Sequence, residues 1–176
     1  MKKFLVTLVL YISLISCSPY LDIGHDADKT VNISNYKTYS WLNETAIESR
    51  GLNPLYYNEL TDKRIKKAVD SQLQSKGYTL VKEKGALELH YHIIVENKTY
   101  PSLEPRQYIG QLQKATDVNY KEGTLIIDIM KPGENDLVWR GYATGIITYE
   151  TTSKPEEAIN YAVAKIFKSF PQCNQH

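Results

Sequence analysis

The stretch GTLIIDIMKPGENDLVWRG, residues 123–141, most constrains the fold because apolar residues recur at every second position on both sides of a turn. A period of two predicts strands with one buried face, and PGEND has the composition of a turn, which would contain Asp136. The stretch therefore predicts a β-hairpin. The residues predicted to point inward are Leu125, Ile127 and Ile129 on the first strand and Leu137, Trp139, Gly141 and Ala143 on the second.

Two charged residues of this hairpin, Asp128 and Arg140, are predicted to face each other. If Ile129 lies opposite Trp139, then Asp128 lies opposite Arg140 on the polar face, where opposite charges stabilise a strand pair. The same residues would also suit an active site, but catalytic acids usually lie in pockets rather than mid-strand on an open sheet. We interpret them as a structural ion pair, at least partly exposed and contributing about 0–1 kcal/mol.

Two further segments alternate in the same way. In ALELHYHIIVEN, residues Leu89, Tyr91 and Ile93 face one side, whereas His90 and His92 face the other. The segment YKTYSWL predicts another strand, with Tyr39 and Trp41 on its inward side. The two tryptophans would also suit stacking on a sugar, but their inward position favours packing in the core.

Helical periodicity predicts two helices. The first is expected over residues 54–76, with Asn53 as its cap, Pro54 at its first position and Gly77 as its end. Its apolar stripe is expected to consist of Leu60, Ile65, Val69 and Leu73. A basic patch beside this stripe suits an acidic lipid or polymer, or simply a solvated face balanced by Asp62 and Asp70. The patch comprises Lys63, Arg64, Lys66 and Lys67.

The second helix is expected to begin at a capping box of Ser153 and Glu156 and to end at Pro171. Two helices with one apolar face each need a sheet to cover. The predicted fold is α+β, a two-layer sandwich with a largely antiparallel sheet of four to six strands and two helices packed on one face. The predicted core contains Tyr39, Trp41, Leu89, Tyr91, Ile93, Leu125, Ile127, Ile129, Trp139, Ile166 and Phe167.

The segment 98–122 connects two predicted strands and is predicted to be a long loop. Connections of this length in a compact domain often carry function. It contains Tyr100, Tyr108 and Tyr120, which we take as candidate binding residues.

The first residues, MKKFLVTLVLYISLISCS, have the pattern of a secretory signal peptide: two lysines, an apolar run and small residues. Their end resembles the bacterial lipobox, which predicts cleavage after residue 16 and lipidation of Cys17. An ordinary signal peptide with an incidental cysteine is the alternative. Residues 17–30 are expected to form a tether with a possible short strand at 20–25, residues 31–171 a single domain, and 172–176 a tail. Ser18 after the cysteine favours the outer membrane.

His90 and His92 are the strongest candidates for metal ligands, since alternate residues of a strand project side by side as a His-x-His pair does on zinc. A third ligand is required, and Asp128 or Glu88 would be available on the same face. Exposed histidines on the wet side of a sheet explain the pattern equally well. No phosphate loop, dinucleotide fingerprint or nucleophile elbow is found, and no cofactor is expected.

The balance of charges bears on the partners of the protein. The chain has 21 basic and 20 acidic residues, and without a basic excess no nucleic-acid partner is expected. Membrane contact is expected through the N-terminal lipid, with a protein or cell-wall component as the further partner.

Several segments together resemble one family of bacterial lipoproteins, the domain of unknown function 4136. They are NYKTYSW, RIKKAVDSQLQSKGY, LHYHI, EGTLIIDI, LVWRGYA and AVAKIFKSFP, and they occur in the family's order. The segment EKGAL departs from the acidic run of the family, because Gly85 and Ala86 stand there. The resemblance implies a lipidated α/β domain of the cell envelope and supplies no activity.

Two functional hypotheses follow. The first is a non-enzymatic binding or assembly module that acts through its open sheet face or the 98–122 loop. The second is a metal-dependent envelope hydrolase that uses His90 and His92.

Overall fold

A computed structural model of the chain describes residues 21–42, 54, 56–102, 116–133 and 136–174. In these residues six strands form one open mixed sheet, and the helices pack on one of its faces. The predicted α+β sandwich is therefore confirmed. The strands are β1 (Asp22–Ala27), β2 (Thr38–Trp41), β3 (Thr79–Leu80), β4 (Leu87–Ser102), β5 (Thr116–Lys131) and β6 (Asp136–Ile146), and the helices are α1 (Glu59–Ser75), α2 (Tyr149–Ser153) and α3 (Pro155–Ile166).

The strands lie in the order β1-β6-β5-β4-β2-β3. The pairs β1–β6, β6–β5 and β5–β4 are antiparallel, whereas β2 runs parallel to both β4 and β3. The parallel pairing follows from connectivity, since the segment that contains α1 crosses from β2 to β3 and so returns the chain in the same direction. Strand β1 pairs with β6 over its whole length, so part of the predicted tether is an edge strand of the sheet.

The predicted hairpin is formed by β5 and β6, with Ile129 opposite Trp139. The register shifts between Ile129 and Met130, so that Met130 pairs with Leu137. As a result Val138 is buried beside Trp139, whereas Leu137, which we expected to point inward, is exposed. An extra residue in one strand locally interrupts the alternation of faces. Asp136 is the first residue of β6 rather than part of the turn, and it pairs with Lys131.

Helix α1 begins five residues later than predicted. Asn58 is the N-cap, and its side chain accepts a hydrogen bond from the Thr61 N–H at 3.0 Å. Pro54 lies in a turn, and the predicted cap Asn53 lies outside the described residues. Leu60 is exposed rather than part of the buried stripe. It precedes Ile65 by five residues, and this spacing places the two side chains on different faces of the helix.

The C-terminal helical region is divided in two. The predicted capping box of Ser153 and Glu156 is not formed: Thr148 and Thr151 form one a turn earlier and start α2. Helix α3 begins at Pro155, and its N-cap Lys154 makes no side-chain capping bond. Proline suits this first position because its missing N–H would have no helical partner there.

The core lies between α1, α3 and the inner face of the sheet. Gly141 of β6 lets α3 approach closely, because a Cβ on it would overlap Ile166 and the Trp139 ring. Trp41, Ile93 and Leu125 pack against the core but are only partly buried. The other eight predicted core residues are fully buried, namely Tyr39, Leu89, Tyr91, Ile127, Ile129, Trp139, Ile166 and Phe167.

The end of the described chain is also part of the domain. Cys173 is buried, and its N–H donates to the Lys76 carbonyl at 2.9 Å. The N–H of Asn174 donates to the Ser34 carbonyl at 2.8 Å. The segment predicted as a tail therefore packs on the domain at least as far as residue 174.

The predicted 98–122 loop is largely β-structure. Residues 98–102 end β4, residues 116–122 begin β5, and the two pair residue by residue from Lys98–Tyr120 to Ser102–Thr116. Polar residues stand on both faces here, with Asn97 and Lys121 on one face and Lys98 and Glu122 on the other, so the apolar alternation that signals a strand is weak. Pro101 fits because this part of β4 pairs on one side only.

The uncovered sheet face as candidate functional site

The polar face of the hairpin places Asp128 opposite Arg140, as the alternation predicts. Arg140 donates from Nε to Asp128 Oδ1 at 2.6 Å and from Nη2 to Oδ2 at 2.7 Å. Such two-point contacts between guanidinium and carboxylate are the strongest ion-pair geometry available to side chains. The hydrogen bond to Asp128 raises the pKa of Arg140.

The expectation that this pair is at least partly exposed is wrong for the acid. The Asp128 side chain is 6% exposed, whereas that of Arg140 is 45% exposed. Neighbouring strands shield the carboxylate, since β5 is the third strand in a sheet of six. A carboxylate removed from water needs the charge beside it far more than a surface pair does.

His90 and His92 lie next to this pair. His90 Nδ1 and His92 Nε2 are hydrogen-bonded at 3.0 Å, and His92 Nε2 lies 3.5 Å from Asp128 Oδ2. The histidine rings stand edge to face, with centroids 4.3 Å apart. The structure thus brings the two candidate metal residues and Asp128 together.

The chemistry of this cluster is constrained by Arg140, which already occupies both oxygens of Asp128. Within the described residues no group of three or more His, Cys, Asp or Glu side chains is arranged to hold a metal ion. The hydrogen bond between the histidines uses one of the nitrogens on each ring. In this arrangement the cluster is a hydrogen-bonded polar network.

The register extends the network into a row across four strands. His90 pairs with Asp128, Asp128 with Arg140, and Arg140 with Asp26 of edge strand β1. Asp128, Arg140 and Asp26 thus place charges of alternating sign on three neighbouring strands. A partner surface that carries the opposite order of charges would complement this row.

Beside the polar row the same face exposes large apolar side chains. Ile94 is 44% exposed and Tyr142 is 36% exposed, on β4 and β6 respectively. Further along the strands, Tyr100 and Val118 are exposed as well. Because the helices pack on the opposite face, no helix of the described chain covers these residues. We call Ile94, Tyr142, Tyr100 and Val118 the apolar strip.

Two of the three candidate tyrosines are strand residues rather than loop residues. The rings of Tyr100 and Tyr120 meet edge to face with centroids 5.8 Å apart, near the end of β4 and the start of β5. Tyr108 lies outside the described residues, as does Cys17.

The basic patch on α1 is mostly balanced by acids. Lys63 pairs with Glu59 at 2.6 Å, Lys66 with Asp62 at 3.0 Å and Lys67 with Glu156 at 3.1 Å. Asp70, which we expected to balance the lysines, instead accepts hydrogen bonds from Tyr39 Oη and Trp41 Nε1, each at 3.0 Å. Among the helices in the part of the chain that the structure describes, none is both long and apolar enough to cross a membrane.

Fold and site together define a class: a small α+β domain with helices on one face of a mixed sheet and a patterned, uncovered opposite face. The chain belongs to the family described as "Domain of unknown function (DUF4136)", whose model matches residues 23–172. No curated protein matches it.

Two solved structures share the fold. One is a DUF4136 family protein from Bacteroides thetaiotaomicron, with 18% identity, a TM-score of 0.55, and coverage of 86% of this chain and 96% of that one. The other is a PDZ domain protein from Parabacteroides distasonis ATCC 8503, with 12% identity and a TM-score of 0.55. There the match covers 96% of this chain and 40% of the other, so this chain spans less than half of that protein.

Proposed function

We propose that this protein is a lipid-anchored lipoprotein of the bacterial cell envelope that acts as a non-enzymatic binding or assembly module. Its uncovered sheet face docks a protein partner. The observation that carries the proposal is the apolar strip beside the polar row, on a face that no described helix covers. Exposed apolar side chains next to fixed charges are the composition expected of a protein interface with a polar rim.

The parts of this face have different roles in docking. Tyr142 and Ile94 supply apolar area that a partner would bury, and tyrosine is enriched among the residues that dominate binding energy. Arg140 and Asp128 present a charge pair that is already oriented, so little entropy is lost when a partner contacts Arg140. The ring pair of Tyr100 and Tyr120 extends the surface along β4 and β5.

The anchoring part of the proposal rests on the N-terminal sequence. The apolar run ends at Leu14-Ile15-Ser16-Cys17, which resembles a lipobox. Only three residues lie between Cys17 and Leu21, where the described domain begins. A linker this short spans at most about 14 Å, so a lipid on Cys17 would hold the domain close to the membrane surface, in the outer membrane if Ser18 governs sorting.

A second candidate, a metal-dependent hydrolase, is favoured by the convergence of His90, His92 and Asp128. A zinc titration followed by calorimetry tests it. Binding that is lost in both His90→Ala and His92→Ala, and retained in the His25→Ala control, would support the hydrolase. The absence of such binding would leave the binding module alone.

Site-specific photo-crosslinking in cells tests the docking proposal. A photoreactive amino acid is placed at Thr144, which neighbours Tyr142 on β6, and in a matched control at Lys63 on the helix side of the domain. We expect a discrete crosslinked protein from position 144 and none of the same mass from position 63. Adding Tyr142→Glu or Ile94→Glu should abolish the adduct at 144, whereas Lys67→Glu should not. An adduct that is equal from both positions, or that survives both strip variants, would refute docking on this face.

A further inference from the structure

A cavity of about 360 Å³ lies between the helices and the inner side of the sheet, in the opposite layer from the apolar strip. Its wall is largely apolar, formed by Ile65 of α1, Ile159 and Ala162 of α3, and Ile93, Val95 and Leu125 of β4 and β5. The volume falls within the range of about 300–1,000 Å³ that is usual for small-molecule sites.

The cavity exists because small residues stand where the two layers face each other. Gly123, Ala143 and Gly145 line it from the sheet, and Ala158 and Ala162 line it from α3. Larger side chains at these positions would close the space as the core is closed elsewhere. The small residues of β5, β6 and α3 therefore account for the cavity.

Arg64 is the one charged side chain among the described residues that line the cavity. It is partly buried, and within the described chain its side chain has no hydrogen bond and no ion pair. The three lysines around it on α1 are all paired with acids. A guanidinium beside an apolar wall is stabilised by an anion that it can hold at two points.

Several other polar groups of the wall are already engaged. The Thr61 hydroxyl donates to Asn58 Oδ1 at 3.3 Å, and the Thr152 hydroxyl donates to the Thr148 carbonyl at 3.1 Å. A ligand rich in hydroxyls would find few donors and acceptors here. An apolar chain with one anionic end matches what the cavity offers.

We infer that this cavity binds a long-chain fatty acid, with the acyl chain against Ile93, Leu125 and Ile159 and the carboxylate on Arg64. Tyr56, Ile147 and Thr152 line both this cavity and a wider cleft of about 860 Å³ that leads past Tyr149 to the surface. That cleft provides an entry path for the chain.

Photoaffinity labelling of the full-length protein in non-ionic detergent tests the inference. The probe is a palmitate analogue with a diazirine in mid-chain and a terminal alkyne, and its adducts are mapped by peptide mass spectrometry. We expect adducts on peptides that contain Ile93, Leu125 or Ile159. Unlabelled palmitate should compete at least tenfold better than hexadecanol, which has the same chain without the charge.

Two variants and a control test separately how the acyl chain and the carboxylate of the ligand contribute to binding. Arg64→Gln should remove the advantage of palmitate over hexadecanol, while Lys67→Gln, one turn away on the same helix, should keep it. Ala158→Phe fills the cavity and should abolish cavity adducts, with Ala158→Leu as the milder variant if circular dichroism shows that the first does not fold. Adducts confined to residues 1–20, equal competition by hexadecanol, or unchanged labelling in the folded filling variant would each overturn the inference.

Discussion

Arg140 and Asp128 form an ion pair in which the two partners differ in their access to water. The guanidinium holds both carboxylate oxygens, at 2.6 and 2.7 Å. The acid is buried among neighbouring strands, while nearly half of the Arg140 side chain is exposed. Asp128 therefore depends on Arg140 to compensate for lost hydration, whereas Arg140 retains contact with water without Asp128.

This asymmetry predicts unequal effects of neutralising either residue. Arg140→Gln leaves a buried carboxylate without its cation and should lower the free energy of unfolding by about 1–3 kcal/mol. Asp128→Asn should cost less, because Arg140 can turn to solvent. The double variant should recover most of what Arg140→Gln loses. Urea unfolding of the three variants measures these values, and equal losses in both single variants would contradict the asymmetry.

The proposed lipidation predicts that replacing Cys17 removes the lipid anchor. Cys17→Ala should yield a protein without acyl modification that is no longer anchored by lipid, because the thiol is the nucleophile to which the lipid would be attached. Intact-mass spectrometry and membrane fractionation measure both properties. Cys173→Ala is the matched control and should keep the lipid, since that thiol is buried in the domain. An unmodified Cys17 in the mature wild-type protein would disprove the lipobox interpretation.

The opposite faces of the sheet predict different costs for the same truncation. Ile127 is fully buried, and Ile127→Ala should lower the free energy of unfolding by about 2–5 kcal/mol through lost burial and a residual cavity. Ile94→Ala removes the same atoms from the uncovered face and should change stability by about 0.5 kcal/mol or less. Chemical denaturation compares the two. Similar losses would mean that a further element covers the outer face.

Much of the fold could be predicted because its signals are local. Alternation at Ile127 and Ile129 identifies the buried face of β5, and the same pattern at Trp139 sets the register that places Asp128 opposite Arg140. The bulge beside Val138 could not be predicted, because one extra residue leaves no mark in composition. The start of α1 was misplaced since Asn53 and Asn58 both suit an N-cap, and only the contact with Thr61 distinguishes them.

The candidate site was predictable only in part, because its features depend on contacts between distant elements. The sequence placed His90 and His92 on the polar face, but their contact with each other and with Asp128 depends on pairing between β4 and β5. Arg64 looked like one member of a basic patch. Its position beside a cavity depends on how α1 packs against α3 and the sheet, which no local pattern records.

Three buried tyrosines predict that the domain loses stability in alkali. Burial raises the pKa of Tyr78 to about 12, and it also raises the pKa of Tyr39 and of Tyr91. In the unfolded chain a tyrosine ionises near pH 10. The stabilisation by each neutral phenol is therefore fully present below pH 10 and is lost as the pH rises toward the higher pKa of the folded state.

Tyr78 offers the cleanest test, because burial is the largest cause of its raised pKa and its hydroxyl makes no hydrogen bond to a carboxylate among the described residues. Tyr78→Phe should leave stability at pH 8 nearly unchanged, and at pH 11 the variant should exceed wild type by about 1.4 kcal/mol, since it no longer has to keep a phenol neutral. Tyr91→Phe should instead lose stability at pH 8, because the 2.7 Å hydrogen bond to Asp62 is removed. The exposed Tyr149→Phe serves as the control and should follow wild type at both pH values. Urea unfolding at pH 8 and pH 11 measures the differences, and a Tyr78→Phe curve parallel to wild type would show that Tyr78 ionises as easily in the folded protein as in the unfolded chain.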